Sequence, residues 1–265
     1  QSITDPELVL NGDFEELGSE LMPSVATIGN ILGGSITQIS NNSYSSTSDG
    51  TTGSSIFPKF NFNTTSGKTY KLVITPTGTI TGTVNFDFYD GSSYLFQNYD
   101  FTTTKEIYFT DNGTVFGGFD GTQTYSIDSF TISVQQVDPN DRWSLGTGWS
   151  IEDGVASCDG TSGASIYQNI SGVQNNIYAI IVTVSNYTSG TLQIGGSSNN
   201  LEVNANGTYT HYRTWTSDGN LYFKSKSGDG FTGSIDNVSV KDITFSTDVD
   251  LARINYDSNG DNGHI

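Results

Sequence analysis

The chain has 265 residues, of which 34% are hydrophobic and 12% aromatic, and its formal net charge is −18 with only 10 basic residues. Such an acidic chain repels a phosphate backbone and an anionic membrane, so neither nucleic acid binding nor membrane insertion is expected. The single Cys158 cannot form an internal disulfide, and the sequence has no Cys/His cluster of the kind that binds zinc.

The composition predicts an all-β protein. Glycine is abundant, with 31 residues, whereas methionine occurs once and only five prolines are present. The apolar residues are mostly β-branched or aromatic and fall in alternating runs, which suits strands with one buried face. A chain of this length is long enough for two cores of modest size.

Short strands separated by turns are predicted through the first half of the chain. Residues 7–10 read as a short strand that runs into a turn at Asn11-Gly12. Further strands are expected near 35–40 and 54–62, and at 69–75, 83–89, 94–101, 105–110, 114–119 and 124–135.

The clearest hairpin lies at residues 84–94. Asp90-Gly91 supplies the turn, because an Asp-Gly pair between alternating residues is a strong hairpin signal. The alternation predicts that Val84, Phe86 and Phe88 point to one side of the strand. It places Asn85, Asp87 and Tyr89 on the other side.

A linker is predicted at residues 137–141, since Pro139 cannot continue a strand ladder and its neighbours favour turns. Trp149-Ser-Ile151 then leads into a second hairpin signal at Asp153-Gly154-Val155. Later strands are expected near 165–170, 177–184, 190–194, 200–203, 208–215, 220–225 and 232–243.

The two halves of the chain repeat one pattern. The closing strand at 125–134 contains Ser-Ile-Asp128, the closing strand at 233–240 contains Ser-Ile-Asp236, and each follows a Gly/Asp-rich turn, at 117–121 and 228–230. A period of about one hundred residues is too long for a solenoid and predicts two copies of a small domain. The predicted modules are 1–137 and 138–245, and 246–265 is expected to be a connector to a missing or following segment.

Asn11-Gly-Asp-Phe-Glu15 and the Ile-Asp-x-Val/Phe-x-Val/Ile pattern of the closing strands resemble the jelly-roll carbohydrate-binding modules of the family-4/9/22 group. This resemblance implies two tandem jelly-roll β-sandwich modules. It also implies a structural Ca²⁺ held by Asp13, Glu15 and Asp128, with only Asp236 matching in the second module. Calcium takes carboxylate and carbonyl oxygens, which agrees with these residue types. The alternative is that Asp128 and Asp236 cap a turn or accept backbone hydrogen bonds.

The tail from Asp250 to Ile265, with Arg253-Ile-Asn-Tyr256 followed by a Gly-rich turn, resembles a connector found in phage tail and tail-fibre proteins. This resemblance implies a phage tail or virion-surface setting. Alternating Asp257, Asn259 and Asp261 also suggest a calcium loop, but Gly263 comes one position late for one.

Catalytic residues are poorly supplied, and the chain is expected not to be an enzyme. His211 and His264 sit in no recognisable triad or metal-ligand spacing, and Cys158 has no local base. A glycosidase would need two carboxylates held close together in a cleft. Most of the 28 acidic residues lie instead in turns beside Gly or Asn.

The sequence contains more candidates for ligand binding. A sugar site needs exposed aromatic rings beside amides, carboxylates and Arg. Residues with that mixture are predicted to bind a ligand: Asn85, Asp87, Tyr89, Tyr94 and Tyr99 in the first module, and Trp143, Tyr167, Tyr187, Tyr212 and Arg213 in the second. Aromatic side chains also fill β-sandwich cores. Trp149 and Trp215 are expected to do so, because Trp149 lies two residues from Ile151 and Trp215 aligns with Phe109 in the repeat.

The sequence therefore predicts a non-catalytic glycan-binding or adhesion protein, extracellular or on a virion surface, whose partner is a polysaccharide or cell-surface glycan. Such a setting agrees with a homo-oligomer or with assembly into a virion or fibre. Two alternatives stay open. One is a structural or decorating module without a ligand, and the other is an accessory region of a polysaccharide-degrading enzyme.

Overall fold

The computed structural model describes residues 6–54, 56–196, 200–216 and 219–244. Within these ranges the chain forms strands and turns and no helix, so no helix there could span a membrane. The predicted connector, with His264 and Arg253, lies outside the described residues.

The described residues of the first half form eleven strands. They are β1 (Ala26–Gly29), β2 (Gly34–Ser40), β3 (Ser43–Asp49), β4 (Lys59–Phe62), β5 (Thr69–Pro76), β6 (Ile80–Gly82), β7 (Asn85–Tyr89), β8 (Tyr94–Asp100), β9 (Lys105–Thr110), β10 (Val115–Phe119) and β11 (Thr124–Gln136).

In the second half, ten strands lie within the ranges that the structure describes. They are β12 (Ser144–Leu145), β13 (Trp149–Glu152), β14 (Val155–Asp159), β15 (Ser165–Asn169), β16 (Ile177–Ser189), β17 (Leu192–Gly195), β18 (Leu201–Val203), β19 (Gly207–Thr214), β20 (Asn220–Ser225) and β21 (Thr232–Asp242).

Each half folds as two antiparallel sheets. In the first half the sheet orders are β1-β4-β10-β7-β8 and β2-β3-β11-β5-β9, with β6 beside β11. In the second half they are β12-β15-β20-β17-β18 and β13-β14-β21-β16-β19. The two sheets of each half pack face to face, and apolar residues of both sheets meet in one layer between them. The fold class predicted from the sequence is confirmed: the chain is all-β, with two tandem jelly-roll β-sandwich modules.

The core of the first module is dominated by phenylalanine. Tyr44 of β3 packs edge-on against Phe60 of β4 with ring centroids 5.0 Å apart, and Phe88 of β7 meets Phe109 of β9 at 5.0 Å. These pairs join one sheet to the other. Edge-to-face contacts of this kind add to the stabilisation that burial of the rings already provides.

The core of the second module contains all three tryptophans of the chain, Trp143, Trp149 and Trp215. The predicted burial of Trp149 and Trp215 is confirmed. The same core also contains Val9 and Phe14 from the beginning of the chain.

The predicted correspondence between Phe109 and Trp215 is visible in the packing. Phe109 packs on Tyr70 at 5.5 Å, and Trp215 packs on Tyr178 at 5.2 Å. Each tyrosine hydroxyl accepts a hydrogen bond from the amide five residues earlier, Thr65 or Val173.

The predicted hairpin is present as β7 and β8, with Tyr89 opposite Tyr94. Phe86 and Phe88 are fully buried, whereas Asn85 and Tyr89 are half-buried. The turn is held by Asp90, whose Oδ1 accepts hydrogen bonds from the amides of Ser92 (2.8 Å) and Ser93 (2.7 Å).

The strand predicted at 114–119 is present as β10, but the Gly/Asp-rich turn predicted at 117–121 needs a correction, because Gly117 and Gly118 lie inside β10. A Cβ at Gly117 would lie 2.7 Å from Phe86 Cζ, and one at Gly118 would lie 2.5 Å from the Ile56 carbonyl oxygen. Neighbouring atoms approach β10 closely on both of its faces at this glycine pair. The pair is explained by this lack of space for a side chain and not by a turn. The turn itself follows at Asp120, whose Oδ1 accepts a hydrogen bond from the Thr122 amide (2.9 Å).

Candidate functional site

A group of aromatic rings lies on the outer face of the sheet β1-β4-β10-β7-β8. In β10 the buried Val115, Gly117 and Phe119 alternate with Phe116, which therefore faces away from the core. Phe116 lies opposite Tyr89 of β7, and their rings stack at 5.0 Å. The ring of Tyr94 in β8 packs edge-to-face with the Tyr89 ring, and their centroids are 5.1 Å apart.

Lys59 extends this ring group on its other side. Its Nζ lies 4.7 Å from the Phe116 ring centroid and 4.6 Å from that of Phe57. Cation–π contacts of this kind fix a flexible lysine over the rings. We call Phe57, Lys59, Tyr89, Tyr94 and Phe116 the aromatic face.

The 56–58 loop borders the aromatic face. A Cβ at Gly121 would lie 2.1 Å from the Phe57 carbonyl oxygen, so the loop backbone touches the end of β10. This contact, together with that of Ile56 at Gly118, places Phe57 beside the sheet. The aromatic face is thus built on paired strands and a closely packed loop.

Asp87 lies on the same side of β7 as Tyr89 but is only 5% exposed. Its Oδ1 accepts a hydrogen bond from the Asn98 amide. Burial raises the pKa of Asp87, the Asn98 amide opposes that rise, and the nearby Asp120 carboxylate adds to it. Asp87 therefore supports the sheet beneath the aromatic face and offers little surface to a ligand.

Tyr99 was predicted to join Tyr89 and Tyr94, but the structure places it elsewhere. The β7–β8 register shifts between Phe86 and Phe88, and Tyr99 packs against Phe96 at 5.8 Å on the side of the core. Its hydroxyl forms a hydrogen bond with Thr103 Oγ1 (2.8 Å). Of the five residues predicted in the first module, Tyr89 and Tyr94 form the ring contacts and Asn85 lies half-buried on the same strand as Tyr89.

The second module has a smaller aromatic group on its equivalent sheet. Tyr167 of β15 lies opposite Tyr222 of β20, with ring centroids 5.1 Å apart. Tyr222 occupies the position of Phe116, because each follows the first buried apolar residue of the corresponding central strand. The side-chain amide of Asn220 donates a hydrogen bond from Nδ2 to the Tyr222 hydroxyl (3.2 Å).

The other residues predicted in the second module are dispersed. Tyr187 packs beside Phe231 at 6.2 Å, and Tyr212 is 65% exposed on β19, in the opposite sheet. Arg213 is only 4% exposed and lies 4.8 Å from the Trp215 ring centroid. These three side chains do not share the sheet of Tyr167.

Trp143 needs a correction, because it lies in the second core and not on the surface. It packs against Phe14 at 5.0 Å and against Phe223 at 6.1 Å. Its Nε1 donates a hydrogen bond to the Asn11 carbonyl oxygen (2.8 Å). With its ring buried and its only donor satisfied, Trp143 presents nothing to a ligand.

The predicted calcium ligands are not gathered at one point. Asp13 Oδ1 accepts a hydrogen bond from the Glu15 amide (3.4 Å), in a segment that packs on the second module. Asp128 instead lies beside Thr79 in the first module, where its amide donates to the Thr79 carbonyl oxygen (3.0 Å). Asp236 binds the side-chain amide of Asn237 (2.7 Å).

Across the ranges that the structure describes, no three Asp, Glu, His or Cys side chains come together as a metal site. Asp13, Glu15 and Asp128 therefore do not fit a shared ion in this arrangement, and calcium binding stays a prediction.

The residues considered for catalysis have ordinary surroundings. Cys158 is buried in β14 and burial raises the pKa of its thiol, which keeps it protonated and unreactive. His211 lies on β19 opposite Ile180. Neither arrangement resembles an activated nucleophile.

Phe57, Lys59, Phe116 and Tyr222 were missed by the sequence analysis. Phe116 lies within the strand predicted at 114–119 and could have been found from the alternation of Val115–Phe119. Phe57 and Lys59 reach the site through a loop and an adjacent strand, for which the sequence carries no local signal.

No protein-family model matches the chain, and no curated protein matches it. Among solved structures, the chain is similar to the N-terminal tandem CBM22 modules of a Paenibacillus barcinonensis protein, with 7% identity, 92% of each chain covered and a TM-score of 0.25. It is also similar to tandem CBM51 modules of a family 98 glycoside hydrolase from Streptococcus pneumoniae, with 10% identity, 89% of this chain and 99% of that chain covered, and a TM-score of 0.25. A fucolectin from Morone saxatilis serum gives 8% identity, coverage of 80% and 85%, and a TM-score of 0.26. Similarities this low carry no conclusion about function.

Proposed function

We propose that this chain is a non-catalytic glycan-binding protein whose aromatic face contacts polysaccharide. The observation that supports this proposal is the contact of Tyr89, Tyr94 and Phe116 on the outer side of a sheet. Sugar rings present C–H faces that pack on aromatic planes, while their hydroxyls need hydrogen-bond partners at the rim. The Tyr89 and Tyr94 hydroxyls, the Asn85 amide and Lys59 provide such partners.

The charge of the chain favours a neutral glycan over an acidic one. With a net charge of −18, long-range electrostatics repel uronic acid or sulfated polymers. Lys59 is the cation within the aromatic face, and its Nζ is already engaged with two rings. We therefore expect stacking and neutral hydrogen bonds to dominate recognition.

A single shallow site binds weakly, because ordering of the ligand offsets most of the contact energy. The Tyr167–Tyr222 pair supplies a second, smaller contact on the other module. Two contacts on one chain, and several chains on one particle, raise the apparent affinity through avidity.

The setting that we propose is extracellular, on a phage tail or virion surface, with host polysaccharide as the partner. The acidic composition and the resemblance of the tail to phage connectors support it. In that setting, weak sites repeated on a fibre would be enough for attachment.

A glycan array probed with multimerised protein tests the proposal. We expect binding to neutral polysaccharides, lost or reduced by at least tenfold in Tyr94→Ala and retained in Tyr212→Ala. Both tyrosines are exposed, by 39% and 65%, but they lie on different sheets, so the second variant controls for loss of any surface ring. Silence across a broad array would favour a structural module without a ligand, and equal loss in both variants would place the site elsewhere.

A further inference from the structure

Residues 7–14 pack against the second module. Leu8 donates its amide hydrogen to the Val240 carbonyl oxygen (3.1 Å), and the Val238 amide donates to the Gly12 carbonyl oxygen (2.8 Å). Both partners lie on β21, the closing strand of the second module. Residues 7–14 therefore run along a strand more than 220 positions later in the sequence.

Side chains of the same segment complete the second core. Val9 and Phe14 are 5% and 2% exposed within the cluster that contains the three tryptophans. The Gln168 side chain forms hydrogen bonds in both directions with the Leu10 backbone, each 2.8 Å long. A Cβ at Gly12 would lie 2.1 Å from the Val238 carbonyl oxygen, so the backbones approach as closely as glycine allows.

A second segment, Glu20-Leu21-Met22, makes the same contacts with the first module. The Glu20 carboxylate accepts hydrogen bonds from the amides of Met22 (2.8 Å) and Val134 (3.0 Å), and the Leu21 amide donates to the Val134 carbonyl oxygen (3.0 Å). Val134 lies on β11, the closing strand of the first module. Met22 is buried in the first core.

Glu7-Leu8-Val9 repeats this pattern atom for atom. The Glu7 carboxylate accepts hydrogen bonds from the amides of Val9 (3.1 Å) and Val240 (2.6 Å), and the Leu8 amide donates to the Val240 carbonyl oxygen. Val240 on β21 is thus the counterpart of Val134 on β11. In each module a Glu-Leu-apolar segment lies beside the later part of the last strand, on the side where β3 (first module) or β14 (second module) no longer pairs with it.

We propose that residues 7–14 are the first segment of the second module, extended along β21, and that the first module is inserted between this segment and residue 138. The two ends of the inserted module then lie side by side. Leu17 forms an antiparallel bridge with Val137, and the Asp138 amide donates to the Glu16 carbonyl oxygen (3.0 Å). Asp138 Oδ1 also accepts a hydrogen bond from the Asn11 side chain (3.1 Å).

In this organisation, the part of β21 around Val238 and Val240 binds residues 7–14. The bound segment supplies first a carboxylate, then apolar residues and then a glycine turn. Two connections, one at each end of the inserted module, restrict rotation between the modules more than one linker would. The core of the second module includes the side chains of Val9 and Phe14.

Amide hydrogen exchange of the full chain tests the assignment locally. We expect Glu7→Ala to speed exchange at the Val240 amide by about tenfold or more, since a charge-assisted hydrogen bond is lost, and to leave the Val134 amide unchanged. Glu20→Ala, the matched variant, should do the reverse. An unchanged exchange rate at the Val240 amide in Glu7→Ala would overturn the proposal. Faster exchange at both valine amides in either variant would overturn it too.

Tryptophan fluorescence provides an independent readout, because all three tryptophans lie in the second core. Val9→Ala should lower the thermal midpoint followed by fluorescence by several degrees, as expected for a buried truncation. Met22→Ala removes an equally buried side chain from the first core and should lower the fluorescence midpoint less. A larger effect from Met22→Ala than from Val9→Ala would assign residues 7–14 to the first module and contradict the insertion.

Discussion

Replacing Gly117 with alanine tests how the central strand of the first module supports the aromatic face. The added Cβ would lie 2.7 Å from Phe86 Cζ and 3.1 Å from Phe88 Cδ2, and both rings are fully buried. Overpacking of this kind costs about 1–3 kcal/mol, and removal of a strand glycine returns roughly 0.5–1 kcal/mol. The net loss is on the order of 1–2 kcal/mol, which for a module of this size lowers its melting midpoint by roughly 3–10 °C.

Gly29→Ala is the matched control on the same sheet. Its Cβ would make ordinary contacts, the nearest at 3.4 Å from Phe57 Cε1, so only the gain from removing a strand glycine, roughly 0.5–1 kcal/mol, is expected. Differential scanning calorimetry of the full chain measures both variants. If Gly117→Ala melts like Gly29→Ala, Gly117 does not face Phe86 and Phe88, and the placement of the glycine pair within β10 is wrong.

Three further outcomes follow from the surroundings of single residues. Because burial raises the pKa of Asp87 in the folded chain, ionisation weakens folding as pH rises above the ordinary range of an aspartate. Asp87→Asn should therefore raise the melting midpoint at pH 7 and lose this advantage near pH 3; an equal gain at both pH values would contradict the assignment. Since Asp13, Glu15 and Asp128 do not meet, excess chelator should leave melting unchanged, and a lowered midpoint with calcium found by elemental analysis would restore the predicted metal site. Buried Cys158 should react with a thiol reagent only as the second module unfolds, and rapid labelling of the native chain would show that its strand is open.

The sequence predicted the parts of the fold that depend on local alternation. The hairpin at 84–94 was readable because apolar and polar residues alternate on both sides of a turn signal. Tandem modules were readable because the Ser-Ile-Asp pattern recurs in both closing strands. The correspondence of Phe109 with Trp215 followed from the same alignment.

Features set by long-range packing could not be predicted. Glycine in sequence indicates a turn more often than close approach, so Gly117 and Gly118 were included in a predicted turn as well as in the predicted strand at 114–119. The crowding on both faces of their strand is visible only in the structure. Tyr99, by contrast, could have been separated from Tyr94, because the two stand five positions apart and alternation along β8 places them on opposite faces. In the structure Tyr99 pairs with the buried Phe86. Trp143 gave no local sign that Phe14, far away in sequence, would pack on it.

The most direct test of the proposed function is a titration with a glycan identified on the array, using Phe116→Ala and Tyr222→Ala. These rings occupy equivalent positions in the two modules, but only Phe116 contacts both Tyr89 and Lys59. We expect Phe116→Ala to weaken binding by at least tenfold, which corresponds to about 1.4 kcal/mol, and Tyr222→Ala to weaken it less. Unchanged affinity in a folded Phe116→Ala variant would contradict the assignment of the aromatic face as the glycan-binding surface.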